Sequence, residues 1–294
     1  MKTLKDSYFA FLLILPVLIV VFLLWFYPLF YSFYLSFHKT TFKEGKLFLS
    51  FIGLSNYINA FLSEELWGAF LRTFYFMVST VSLELLIGMG IALLLNEEFK
   101  GRSIVRTLVL LPWALMTLVY AQTWKWIYNG SYGVLNAILK ELGIIQTYQN
   151  WLGDKTTAMN AVILSDIWEM TPLVVLLLLA GLQSIPEELY EASKIDGASA
   201  WRRFRHITLP LLKPSVLVAV TLRLIHTFKV FDAIYILTRG GPGGGTTVIM
   251  FHIYNETFKF SDFGYGAALS YIALIFFVVL AIIYIKASSR GGKI

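Results

Sequence analysis

The sequence contains no cysteine in its 294 residues. That excludes a disulfide framework, a Cys-based metal site and a thiol nucleophile. Charge is also scarce: Asp, Glu, Lys and Arg make up 14%, against roughly 25% in a soluble domain. With hydrophobic residues at 57%, too little polar surface remains to cover a water-soluble globule, and the chain is an integral membrane protein. The four histidines, His38, His206, His226 and His252, are scattered without HExxH spacing, so metal catalysis has no support. No G-x-S-x-G elbow is present either. The stretch GGPGGGTT, residues 240–247, has the glycines of a phosphate loop but lacks the lysine that reaches the phosphates, so it is expected to form a turn. No low-complexity tract or soluble domain is apparent.

Long apolar runs are what the chain does have. About 20 mostly apolar residues cross a bilayer, and six segments qualify: 9–33, 70–95, 104–128, 158–181, 211–231 and 265–287. Barrel strands would alternate over about 10 residues instead, so the expected fold is an all-α integral membrane domain over residues 1–294 with six transmembrane helices. The first run is longer than the roughly 7–15 apolar residues of a cleaved signal, and no small-x-small site follows it, so it is expected to be retained.

Basic residues set the orientation. With both termini cytoplasmic, the inner side holds Lys2, Lys5, Lys100, Arg102, Arg106, Lys194, Arg202, Arg203, Arg205, Lys213, Lys286, Arg290 and Lys293. The outer side holds only Lys39, Lys43, Lys46, Lys140, Lys155, Arg239 and Lys259. The positive-inside rule favours this orientation. A net charge of +6 then orients helices and gives no reason to expect nucleic acid as a partner. The long outer loop at 34–69 carries aromatics suited to the headgroup region.

The polar segment 182–210 falls on the cytoplasmic side between spans four and five. Ser184 with Glu187 forms a capping-box pattern, and Pro186 suits a first helical turn. Glu187 to Ser193 continues a short helix, Asp196-Gly197 signals a turn, and a second helix is expected from Ser199. Trp201, Phe204 and Ile207 share one face; Arg202, Arg203 and Arg205 share the other. Pro210 is expected to mark the turn into the next span. Physics alone leaves two readings open: an interfacial amphipathic loop with snorkelling arginines, or a docking element whose small residues permit close approach.

Glu191, Ala192, Ser193, Gly197, Ile207, Leu209 and Pro210 match the spacing of the EAA signature, and the chain resembles ABC importer permeases of the carbohydrate-uptake branch (maltose, lactose and glycerol-3-phosphate type). Ser193 stands where the family usually has alanine. A second similar segment is FKVFDAIYILTRGGPGGGTTVIMFHIYNETFKFSDFGYGAALS. The resemblance implies a maltose-permease-like fold, an inner-membrane location and a heterodimer with a second homologous permease. It also implies two ATPase subunits that hold ATP and Mg, and an extracytoplasmic solute-binding protein. No cofactor would be bound by this chain itself. Glu191, Ala192, Ser193, Asp196 and Gly197 are the implied ATPase-coupling residues.

Ionisable residues inside spans cost about 2.5–3.5 kcal/mol on insertion scales, so each is expected to face protein or water. Glu84, Glu169 and Arg223 are expected either to pair between helices or to line a polar pathway. Lys125, Asp166 and Lys229 are expected near span ends, where snorkelling is cheap. Sugars need flat aromatic faces and polar groups for their hydroxyls. Gln122, Trp168, Glu169, His226, Asp232 and Tyr235 are the candidate pathway residues, with Trp124, Trp126 and Tyr128 nearby. Glu169 stands where the family often has a basic residue. The rival readings are a self-sufficient secondary transporter driven by an ion gradient, which often shows inverted repeats, and an intramembrane enzyme.

Overall fold

The computed structural model describes residues 2–43 and 45–290; Lys293, counted above among the inner charges, lies outside them. The chain opens with α1 (Lys2–Val21) and α2 (Tyr27–Ser36), joined through a π turn at Phe22–Phe26. A hairpin of β1 (His38–Lys43) and β2 (Lys46–Phe51) follows, then α3 (Ser55–Leu62) and α4 (Glu64–Asn96). Next come α5 (Arg102–Leu110), α6 (Thr117–Ile127), α7 (Val134–Glu141) and α8 (Lys155–Gln183). Short helices α9 (Glu187–Ile195) and α10 (Ala200–Arg203) lead into α11 (Leu209–Phe228). The chain closes with α12 (Asp232–Leu237), α13 (Ile249–Tyr254) and α14 (Phe263–Arg290).

Among the described residues, five helices are long and apolar enough to cross a membrane: Tyr8–Ser36, Glu64–Asn96, Lys155–Gln183, Ala200–Phe228 and Phe263–Lys286. They contain the expected first, second and fourth spans and cover the fifth and sixth except for 229–231 and 287 at their ends. The expected third span, 104–128, is not one helix. It is divided into α5, a 3₁₀ turn at Pro112–Ala114 and α6, with Leu115 and Met116 extended. Pro112 lacks the N–H that would continue the ladder, a signal hidden inside an otherwise unbroken apolar run.

Proline acts differently elsewhere. The Tyr27 N–H reaches back five residues to the Phe22 carbonyl, just before Pro28. The Leu209 N–H reaches Phe204 in the same way, just before Pro210. Widening the turn by one residue makes room for the ring without ending the helix. The expected turn at Pro210 is therefore absent: helix continues from α10 through the π turn at Phe204–Thr208 into α11.

The chain divides into two compact units. The first comprises Met1–Trp67 and His252–Ser289. The loop expected at 34–69 contains the hairpin, in register His38 to Phe51 and Lys43 to Lys46. Asn56 Nδ2 donates to the Ser36 and His38 carbonyls at 2.9 and 3.1 Å, fixing α3 against the hairpin. Asp262 accepts from the Tyr265 N–H at 3.0 Å and from Thr40 Oγ1 at 3.1 Å, and Thr40 Oγ1 accepts from the Gly264 N–H at 3.0 Å. A Cβ on Gly264 would collide with the His38 carbonyl oxygen, so only glycine permits this approach of α14 to β1.

The second unit is built on Gly68–Phe251. Lipid tails are as apolar as leucine, so helices here associate through close packing and polar contacts rather than through a hydrophobic drive. Small residues do this at two positions. A Cβ on Gly88 of α4 would lie 2.9 Å from Val174 Cγ1 of α8, and one on Gly181 of α8 would lie 2.7 Å from Leu212 Cδ1 of α11. One apolar cluster gathers Phe76, Tyr120, Ile163 and Ile234 from α4, α6, α8 and α12. Another gathers Leu95, Val175, Leu178 and Leu212 from α4, α8 and α11.

Candidate functional site

Three charged side chains from α4, α8 and α11 meet in this unit. Arg223 of α11 donates from Nε to Glu84 Oε2 at 2.5 Å and from Nη2 to Glu84 Oε1 at 2.7 Å. Nη2 also donates to Asp166 Oδ2 of α8 at 2.6 Å. Relative exposures of 0% for Glu84, 2% for Arg223 and 6% for Asp166 bury the group between the helices. A lone charge there would be prohibitive, and the fork of the guanidinium satisfies two carboxylates at once. Pairing, the first of the two expectations for Glu84 and Arg223, is what the structure has. Asp166 was expected near a span end with a snorkelling side chain; it is buried in this triad instead.

Beside the triad lies a cavity of about 300 Å³. Thr117, Tyr120, Asp166, Glu169, Arg223, His226, Lys229 and Asp232 give it a polar lining, and Met170, Val230, Phe231 and Ala233 complete the wall. Helical spacing explains the convergence. Asp166 and Glu169 are three apart on α8, and Arg223 and His226 are three apart on α11, so each pair shares a face. The wall thus combines carboxylates from α8 and α12 with basic groups from α11 and from Lys229, which follows it.

Of the six candidate pathway residues, the cavity brings together Glu169, His226 and Asp232. Tyr235 lies outside its lining, with its ring 5.6 Å from that of Phe231, which does line it. Trp168 is on a different face of α8 and makes an edge contact with Trp124 at 5.7 Å. Gln122 is half-buried and does not line the cavity. Tyr120, Thr117 and Lys229 were not singled out in the sequence as pathway residues. For Asp166 and Arg223 the available signal was their i, i+3 spacing from the selected Glu169 and His226. Lys125, expected to snorkel, donates to the Ile236 carbonyl at 3.0 Å and joins α6 to α12.

Residues 182–210 have the expected helix, bend and helix. Gly197 has φ +71°, the left-handed region that favours glycine. Its N–H donates to the Lys194 carbonyl at 3.0 Å, and the Ala198 N–H donates to the Ser193 carbonyl at 2.9 Å. This is a Schellman cap that ends α9. Ser199 starts α10, its side chain accepting from the Arg202 N–H at 3.4 Å. Ser184 does not cap α9 as its spacing suggested. Its hydroxyl donates back to the Gly181 carbonyl at 2.7 Å, at the end of α8. Glu191, Ala192, Asp196 and Gly197 are exposed and Ser193 is half-buried. Ile195 and Trp201 are 87% and 68% exposed, so the segment offers apolar surface at the bend. Tyr190 and Thr208 join their hydroxyls at 3.0 Å, tying α9 to the π turn.

The chain is similar over its whole length to known permeases. It is 44% identical over 283 residues, 96% of this chain and 94% of the relative, to the trehalose/maltose transport system permease protein MalF of Thermococcus litoralis. It is 37% identical over 283 residues, 96% and 91% of the two chains, to the sulfoquinovosyl glycerol transport system permease protein SmoG of Agrobacterium fabrum. A solved bacterial ABC transporter involved in import of the acidic polysaccharide alginate superposes with TM-score 0.84 at 25% identity, covering 98% of each chain. The family model described as binding-protein-dependent transport system inner membrane component matches residues 67–289. Dependence on a separate binding protein sets aside both the self-sufficient transporter and the intramembrane enzyme. This chain belongs to that family, as a permease subunit of an ABC importer.

Proposed function

We propose that the chain forms half of the translocation pathway of a sugar or oligosaccharide importer. It pairs with a second homologous permease and rests on two ATPase subunits that hold ATP and Mg. An extracytoplasmic binding protein delivers the sugar, and both termini are cytoplasmic. The observation that carries this reading is the polar cavity beside the triad. Glu169 and Asp232 accept from sugar hydroxyls, Lys229 donates to them, and His226 does either according to its tautomer. Phe231 adds a flat face for C–H surface, with the Tyr235 ring stacked on it. Glycerol 3-phosphate is served less well, because Arg223 is already committed to two carboxylates. The names of the two relatives, which concern trehalose/maltose and a sugar-bearing glycerol, support the same substrate class.

Residues Glu191, Ala192, Ser193, Asp196 and Gly197 form the joint with the ATPase. ATP binding must favour one arrangement of this joint differentially, or it shifts nothing. The test is co-expression with the neighbouring genes, purification in mild detergent and uptake in proteoliposomes. Co-purification of a second permease and an ATPase, with ATP-dependent sugar uptake, is expected. A chain that purifies alone and takes up sugar along an ion gradient would overturn the reading.

A further inference from the structure

A second cavity, of about 210 Å³, lies between the C-terminal turns of α4 and α8 and the middle of α5. Its wall is largely hydrocarbon, with Leu95, Val109, Leu176 and Leu179, and one cation, Arg106, enters it. Nε and Nη2 of Arg106 are shielded from solvent and have no hydrogen-bond partner. Arg102, one turn earlier, is different: its Nε donates to the Leu95 carbonyl at 2.7 Å and its Nη2 to the Asn96 carbonyl at 3.2 Å. Arg102 therefore closes the end of α4, whereas Arg106 has two shielded donor nitrogens without a partner. Leaving such donors unpaired is unfavourable, and a fork of this geometry matches a phosphate.

We infer that this cavity holds an anionic phospholipid. The phosphate accepts from Arg106 Nε and Nη2, and an acyl chain lies along Val109, Leu176 and Leu179. A free phosphate would bring its remaining oxygens against methyl groups, with only Gln183 as a further polar neighbour. An amphiphile satisfies both halves of the site. Ile104 and Leu108, 67% and 58% exposed, show that α5 also carries outward apolar surface suited to lipid. With the orientation proposed above, Lys100, Arg102 and Arg106 lie on the cytoplasmic side, where basic pockets between helices collect anionic headgroups.

The test uses the full chain in detergent, titrated with short-chain phosphatidylglycerol, short-chain phosphatidylcholine or inorganic phosphate. Thermal unfolding reads affinity and native mass spectrometry reads retained lipid. Phosphatidylglycerol is expected to bind and stabilise, with the other two without effect. Arg106→Gln is expected to weaken binding about tenfold. Ala180→Phe, which fills the groove and leaves Arg106 in place, is expected to weaken it as well, and it decides the matter if Arg106→Gln does not fold. Equal phosphatidylglycerol affinity in the wild type and Arg106→Gln overturns the proposal, as does inorganic phosphate matching the lipid. Unchanged lipid binding in Ala180→Phe does the same. Loss of the partner permease from the assembled importer in Arg106→Gln, with lipid retention unchanged, assigns the cavity to a protein carboxylate instead.

Discussion

Arg223 grips both oxygens of Glu84 with the Nε–Nη2 edge of its guanidinium, at 2.5 and 2.7 Å, across 139 residues of sequence. The pair joins α11 to α4, and the contact with Asp166 adds α8. Breaking one partner of a buried pair costs about 3–5 kcal/mol, because the other charge is left stranded. Arg223→Met is therefore expected to lower the thermal midpoint in detergent far more than any exposed arginine substitution, such as Arg205→Met. A combined Glu84→Gln, Asp166→Asn and Arg223→Met variant should recover much of the loss. Equal midpoints for Arg223→Met and Arg205→Met would show that the triad contributes nothing.

Glu169 lines the cavity and lies outside the hydrogen bonds that join Arg223 to Glu84 and Asp166. Glu169→Gln keeps the shape of the wall and changes its charge. Uptake is expected to fall severalfold through a raised half-saturation for sugar, with expression and thermal midpoint near wild type. A drop in stability with unchanged uptake per folded molecule would make Glu169 a structural group.

Gly197 separates conformation from contact. Among the described residues, none beyond its two chain neighbours comes within 4 Å of a Cβ built on it, yet φ is +71°. Asparagine tolerates this backbone region and valine does not. Gly197→Asn should keep the bend and Gly197→Val should distort it, at about 1–2 kcal/mol, with membrane insertion unchanged in both. If uptake survives in Gly197→Asn and fails in Gly197→Val, the bend is what coupling needs. If both fail while the ATPase still hydrolyses, the space beside Gly197 is filled by a partner.

Gly264→Ala is expected to destabilise the unit that holds the hairpin by about 1–3 kcal/mol, because the methyl group overlaps the His38 carbonyl. Hydrogen exchange of β1 and of the first turn of α14 measures it. Protection equal to wild type in both segments would show that the backbone there yields freely.

Burial pushes the Glu256 carboxyl above its usual range, with Asp262 and Glu65 adding repulsion. Its neutral form is thus favoured in the folded chain. The associated stability is fully present below the ordinary carboxylate value of 4.5 and is lost as pH rises through the higher folded value. Glu256→Gln should remove this loss. Thermal midpoints measured from pH 4 upward test it, and a wild-type midpoint that rises over that interval while the variant stays flat contradicts the sign.

Five spans were legible because length and continuity of apolar residues are local properties. So were the Asp-Gly bend and the Ser199 cap, each carried by a few adjacent residues. The break at Pro112 was masked by leucines on both sides. Pro210 misled in the opposite sense, since a π turn absorbs its ring. Ser184 and Glu187 have capping-box spacing, but the hydroxyl serves the preceding helix. The hairpin at His38–Phe51 was overlooked because its short strands lie among aromatics that also suit a headgroup belt. The triad could be suspected only as separate costly charges. Which of them pair depends on three helices brought together by Gly88, Gly181 and their neighbours, and no local pattern encodes that meeting.

The unbroken helix from Ala200 to Phe228 makes one mechanical object of two places. At about 1.5 Å per residue, Arg223 lies roughly 35 Å along the same rod as Ala200. A tilt of a few degrees imposed beside the Gly197 bend reappears at the other end as a displacement of about 2 Å, comparable with the tolerance of a hydrogen bond. The Gly197 bend and the ion triad thus lie near the two ends of one continuous helix, so with the joint proposed above a push at the bend would be carried to the wall of the polar cavity.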